Sequence, residues 1–264
     1  MSYGSKPTDD GNLIVEPEEY AEVMADPIAA KYVHRYVGAR ELLHNEQRWC
    51  LWLEDMEPND LRNSSILKKR VEAVRAFRES SKAASTRDYP YHHLFRQLAK
   101  QNEPYICVPS VVSETRKYFT CAHLDADVIT SNLAFQCPDP DGLQFAAMSS
   151  GMFIAWQKAI GGRLESRLRF ASTLTWYTFP FPVLNDKQRE EIIAAGQQVL
   201  EARALHPERS LADHYNPLAM APELVKAHTA LDRVVDRAFG AKKTLSRDEE
   251  RQNILFAKYS QLTA

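Results

Sequence analysis

Hydrophobic and polar residues change period along this chain, and the changes mark its elements. Between Ser149 and Pro182, Met152, Phe153, Trp156, Ala159 and Ile160 recur at intervals of three and four, which predicts a helix. Ser149 or Ser150 can cap that helix, and Gly161-Gly162 can stop it. The period then falls to two, with Arg163, Glu165, Arg167 and Arg169 alternating with Leu164, Ser166, Leu168 and Phe170. A strand over these residues sets three arginines and one glutamate in a row on one face. Leu174, Trp176 and Thr178 alternate with Thr173, Thr175 and Tyr177, which predicts a second strand ended by Pro180 and Pro182.

Upstream, Leu13-Ile14-Val15 reads as a short strand, and Pro17 opens a helix to about Met24. Asp26-Pro27 repeats the start signal for a second short helix ending near Gly38. Arg40 to Leu43 and Arg48 to Leu53 suggest a hairpin around Asn45. The longest helix of this half runs from about Ser65 to Lys82, on an apolar stripe of Leu67, Val71, Val74 and Phe77. Lys68, Arg75 and Lys82 recur every seven residues on another face, with Arg78 close by. Residues 84–103 are irregular and polar. Short strands follow at Tyr105 to Val108, Lys117 to His123, Val128-Ile129 and Leu133 to Cys137, with a loop at Ser110 to Arg116 and a turn at Pro138 to Gly142. After Pro182 the texture changes to three amphipathic helices, Asp186 to Arg203, Glu223 to Phe239 and Arg247 to Tyr259. The expected fold class is α+β: a mixed α/β domain over residues 1–183 and an all-α domain over 184–264.

Composition is that of an ordinary globular chain of 264 residues, 44% hydrophobic and 26% charged. The four cysteines, Cys50, Cys107, Cys121 and Cys137, lie scattered in apolar runs without a C-x-x-C pair, which points to buried free thiols and a reducing cytoplasm. No apolar run is long enough to span a bilayer. The net charge of −2 hides an asymmetry: residues 1–60 carry −8 and residues 61–117 carry +7. A polyanion would meet one segment of this protein and not its whole surface.

Several chemistries lack their motifs. The sequence has no Gly-rich loop after a strand for a nucleotide or S-adenosylmethionine, no P-loop lysine, no His-Glu-x-x-His and no serine elbow. Pro138-Asp139 opens a pattern found in metal-dependent nucleases, but no Glu-x-Lys follows on a nearby strand. The adjacent His92-His93 make a poor chelate, so no metal is expected. A binding module is the expectation. The arginine row suits base edges, since arginine offers a fork to guanine and glutamate accepts from the cytosine amino group. A charge row alone favours the plainer reading, a solvated strand face with charges paired across a sheet.

Four strings shift that balance: DDGNLIVEPEEY, KYVHRYVGARELL with RWCLWL, SSGMFIAWQKAIGGRLESRLRFASTLTWYTFPFP, and LADHYNPLAMAPELVKAHTALDRVVDRAFG. Together they resemble the C-terminal half of MmeI-like proteins, single-chain type IIL or IIG restriction-modification enzymes that methylate adenine at N6 in DNA. The resemblance covers essentially the whole chain and implies a target recognition domain to about Val183, followed by a helical C-terminal domain. It implies base reading by Glu165, Arg167 and Arg169, and by positions near Ser110 to Ser113 and near Asn132-Leu133. Phosphate contact is expected from Lys68, Arg75, Arg78, Lys82 and Arg163. The expected partners are double-stranded DNA and a methyltransferase and nuclease part on the N-terminal side, as a domain or as a separate subunit. No cofactor is expected in this chain itself, because S-adenosylmethionine belongs with the methyltransferase part. No catalytic residue is assigned. The rival expectations are a protein-docking subunit that holds a catalytic partner, and a nuclease built around Pro138-Asp139.

Overall fold

The computed structural model describes residues 1–263 and arranges them as three small sheets and a group of helices. The chain opens with β1 (Ser2–Tyr3), β2 (Ile14–Val15) and α1 (Pro17–Ala25), with Pro17 at the first helical position. The Asp26 carboxylate accepts from the N–H groups of Ile28 and Ala29 and starts only one tight turn, Ala29–Tyr32. The helix expected to continue toward Gly38 gives way to β3 (Val33–Val37), whose Val, Tyr and Val suit a pleated surface and which pairs with β4 (Trp49–Leu51). The strand expected at Arg40 to Leu43 is α2 (Ala39–His44) instead. Glu41 accepts from the Gly38 N–H at 2.8 Å to cap its start, and Asn45, at φ 55°, ends it.

Next come α3 (Pro58–Asn63) and α4 (Ser65–Glu79), with the Ser64 hydroxyl accepting from the Leu67 N–H to cap α4. Leu67, Val71 and Val74 bury the apolar stripe of α4 against Leu13, Ile14, Leu51, Trp52 and Phe95. After α5 (Ala84–Arg87) come β5 (Tyr105–Pro109), β6 (Val111–Val112), β7 (Ala122–Leu124), β8 (Ile129–Thr130) and β9 (Ala134–Pro138). The strand expected from Lys117 pairs only at its far end, and Tyr118, Phe119 and Cys121 enter the core from an irregular segment. One sheet has the order β2-β4-β3-β8, in which only β3 and β8 run parallel, and a second has the order β1-β9-β5-β7.

The stretch from Ser149 keeps its predicted helix, folds its first predicted strand in two and loses its second. After α6 (Leu143–Met148), α7 (Gly151–Ile160) starts where the Ser150 hydroxyl accepts from the Phe153 N–H. The alternating run that follows is a hairpin, β10 (Gly162–Leu164) and β11 (Arg167–Arg169), folded at Glu165-Ser166. It adds to β6 to make a third sheet, β10-β11-β6. The run 173–178 is a wide helical turn at Ser172–Trp176, with the Tyr177 N–H reaching the Ser172 carbonyl five residues back. Threonine hydroxyls favour this outcome: Thr175 donates to the Ala171 carbonyl at 3.0 Å, a local bond that competes with a ladder.

The remaining chain is helical: α8 (Asp186–Ala204), α9 (Leu211–His214), α10 (Pro222–Ala238) and α11 (Asp248–Thr263). These helices share one core with what precedes them. Phe145, Phe153 and Trp156 pack with Ile192, Val199, Leu231, Val235 and Leu255, each such burial contributing roughly 1.5–3 kcal/mol. A buried ionic group fixes the junction. Arg251 pairs with Asp236 at 2.9 Å and Asp232 at 3.4 Å, and Asp232 accepts from the Gly151 N–H at 2.7 Å. The start of α7 is therefore tied to α10 and α11. Among the described residues no helix is long and apolar enough to cross a membrane.

Candidate nucleic-acid interface

The hairpin is held by its inward residues. Leu168 and Phe170 are buried, and Leu168 stands opposite Val112 of β6, itself in the core. Successive strand residues face opposite ways, so the exposed Arg167 and Arg169 both point away from that core. Directly opposed residues share a face, which places Leu164 beside Arg167 and Gly162 beside Arg169. Gly162 has no side chain to stand beside Arg169, which is exposed.

The turn splits the predicted row of charges. Arg163 stands opposite Leu168, on the other face from Arg167, and donates to the Ser166 carbonyl at 3.1 Å. Glu165 sits in the turn at φ 57°, in the left-handed region, and not on a strand. Its carboxylate nevertheless reaches Arg167 at 2.8 Å. The expectation of one continuous strand carrying all four residues is thus corrected. Two arginines share a face, a glutamate orients one of them, and Arg163 lies behind.

The structure brings the three expected reading segments together. Ser110 accepts from the Phe170 N–H through its carbonyl at 2.9 Å and donates from its hydroxyl to the Leu133 carbonyl at 3.0 Å. One serine thereby pins the Asn132-Leu133 loop to the hairpin. Ser113 follows β6 and bonds Thr115 at 2.9 Å, Asn132 is half-buried, and Leu133 is 62% exposed. The sequence reading missed Glu114. A hydrogen bond from its own backbone, the Ser166 hydroxyl, and the charges of Arg163 and Arg167 hold its carboxyl below the usual range. It stands about 50 residues from the hairpin in sequence, and no local pattern could have linked the two.

The expected phosphate contacts fare unevenly. Lys68 and Arg75 are exposed on α4, whereas Lys82 lies beyond the end of that helix at Glu79. Arg78 is corrected outright, because it is fully buried. Its guanidinium donates to the carbonyls of Pro7, Thr8, Tyr91 and Leu94 at 2.8–3.0 Å, stitching the N-terminal segment to the irregular region after α5. Asp139, the acid of the nuclease rival, is buried and spends both oxygens on the N–H groups of Gln144 and Phe145 at the start of α6. Burial raises its pKa, and the two capping N–H groups oppose that rise. Among the described residues no group of three His, Cys, Asp or Glu side chains is placed to hold a metal.

A mixed α+β unit that presents an arginine hairpin between two loops, braced by helices, has the build of a macromolecular recognition module. The chain belongs to the MmeI family: the family's target recognition domain matches residues 1–183 and its C-terminal domain matches residues 183–264. It is 32% identical, over its whole length, to DNA methyltransferase A of Bacillus subtilis (strain 168), of which it spans 30%. It also matches the solved Type IIL restriction-modification enzyme MmeI in complex with DNA, with a TM-score of 0.91 and 36% identity, over 99% of this chain and 35% of that one. The chain therefore spans about a third of the length of these relatives.

Proposed function

We propose that this chain is the sequence-reading part of a site-specific adenine-N6 DNA methyltransferase of the restriction-modification type. In this reading residues 1–183 recognise double-stranded DNA and residues 184–264 brace them, while S-adenosylmethionine and the reacting adenine are held by a catalytic part outside these residues. The single observation that carries the reading is the convergence of Arg167, Arg169, Ser110 and Asn132-Leu133 around the small β10-β11-β6 sheet, joined by the two hydrogen bonds of Ser110. The DNA complex of the MmeI relative supports it.

The geometry suits base readout. Side chains two apart on a strand stand ~6.6 Å apart, and base pairs rise ~3.4 Å along the duplex. Arg167 and Arg169 then address guanines about two base pairs apart, each through the O6 and N7 acceptors. Glu165 occupies one guanidinium nitrogen of Arg167 and leaves its remaining donors for a base. Lys68 and Arg75 contact phosphates without reading sequence, with Lys82 and Arg163 at the margins.

Selection from a pool of random duplexes by the purified chain tests this. One short sequence is enriched, and affinity for it falls with added salt. Lys68→Ala and Arg75→Ala each lower the salt slope by about one unit and leave the preferred sequence unchanged. Absence of any enriched sequence contradicts the reading and favours a protein-docking role.

A further inference from the structure

We propose that Gln157 is a positioning residue for base reading: from the last turn of α7 it fixes the peptide that carries Arg169, and so the depth to which that arginine reaches. The inference rests on the reading of the hairpin as a DNA-contacting surface.

Gln157 is fully buried, and its Nε2 donates to the Arg169 carbonyl at 3.0 Å. The other end of the same peptide unit, the Phe170 N–H, donates to the Ser110 carbonyl at 2.9 Å. A peptide unit is a rigid plane. Gripping it at both ends fixes the direction in which the Arg169 side chain leaves the backbone. One grip comes from helix α7 and the other from the Ser110 loop, so Arg169 is registered against both.

One feature shows that the amide serves this bond and not packing alone. Its Oε1 is enclosed without a protein partner. A methionine or leucine would fill the same space and leave no orphaned acceptor. A Cβ at Gly161 would stand 2.0 Å from Gln157 Nε2 and 2.4 Å from the Gln157 carbonyl oxygen, so the glycine clears both the amide and the end of α7.

The test is duplex selection with the wild-type chain, Gln157→Leu, Arg169→Ala and the double variant, with Gln157→Met as the substitute should the leucine variant not fold. Gln157→Leu is expected to lose ~10-fold discrimination at the base pair that Arg169→Ala relaxes, with preference elsewhere intact. The double variant should lose no more than Arg169→Ala alone, since both changes act through one contact. Uniform weakening at every position, additive losses in the double variant, or unchanged discrimination overturns the proposal. A wild-type chain without base preference overturns the underlying reading of the hairpin as well.

Discussion

Glu165 shows how a single residue separates stability from function. At φ 57° it occupies a backbone region that costs a non-glycine residue ~1–3 kcal/mol. Its bond to Arg167 is no compensation. The two side chains are 77% and 48% exposed, and pairs so open to solvent contribute under ~1 kcal/mol. A glycine would form this turn more comfortably, so the glutamate answers to something other than the fold. Glu165→Gly is expected to leave urea stability unchanged or raise it by no more than ~1 kcal/mol, while it alters the base preference of the hairpin. Glu165→Val, β-branched in the same conformation, is expected to destabilise by ~1–2 kcal/mol. A clear loss of stability in the glycine variant would assign Glu165 to the fold. Arg78 teaches the converse, because on paper it belongs to a basic stripe and in the structure it is a buried brace.

At the scale of elements, what was legible followed from the strength of the local signal. The helices α4, α7, α8, α10 and α11 are the long ones, α4, α7 and α8 with caps at Ser64, Ser150 and Asn185, and the sequence predicts all five helices. The hairpin was not legible as one, because alternation runs unbroken through Glu165-Ser166, which holds neither glycine nor asparagine to announce a turn. β3 and α2 were exchanged for similar reasons, since short segments obey their tertiary partners over their own propensity. The packing of α10 gives a test at this scale. His228 stacks on Tyr118 at 3.8 Å and bonds the Tyr215 hydroxyl at 2.8 Å, and burial pushes its pKa well below the ordinary value of 6.5. The folded state thus binds fewer protons at this site than the unfolded chain. The stability it contributes is complete above pH ~6.5 and is lost as pH falls below that value. Thermal unfolding across pH 5 to 8 should show the decline, and His228→Gln should make it shallower, the rest belonging to His92, His93 and His214, whose pKa values burial also lowers. An equally steep decline in the variant would remove His228 from the account.

Over the whole molecule, segments far apart in sequence cancel or combine in ways no local pattern records. The −8 segment and the part of the +7 segment up to Phe95 pack around one core, in which Arg70 of α4 pairs with Glu19 of α1 at 2.9 Å, so opposite charges there largely neutralise each other. In the proposed reading, phosphate contact in that region rests on individual side chains such as Lys68 and Arg75, not on a broad field. The candidate site is likewise a product of topology. β6, the Asn132-Leu133 loop and the hairpin meet only because β11 pairs with β6 and Ser110 bonds across both neighbours. The family resemblance named these segments, and the structure supplied the bonds that join them.

The central claim is that this junction reads DNA, and it is tested most directly by duplex selection with Ser110→Ala, Asn132→Ala, Arg167→Ala and Arg169→Ala. The account predicts that each change relaxes preference at one or two base pairs, that losing either arginine costs ~1–3 kcal/mol of discrimination at its own position, and that all affected positions fall in one short contiguous run. Recognition sequences unchanged in all four variants would contradict it.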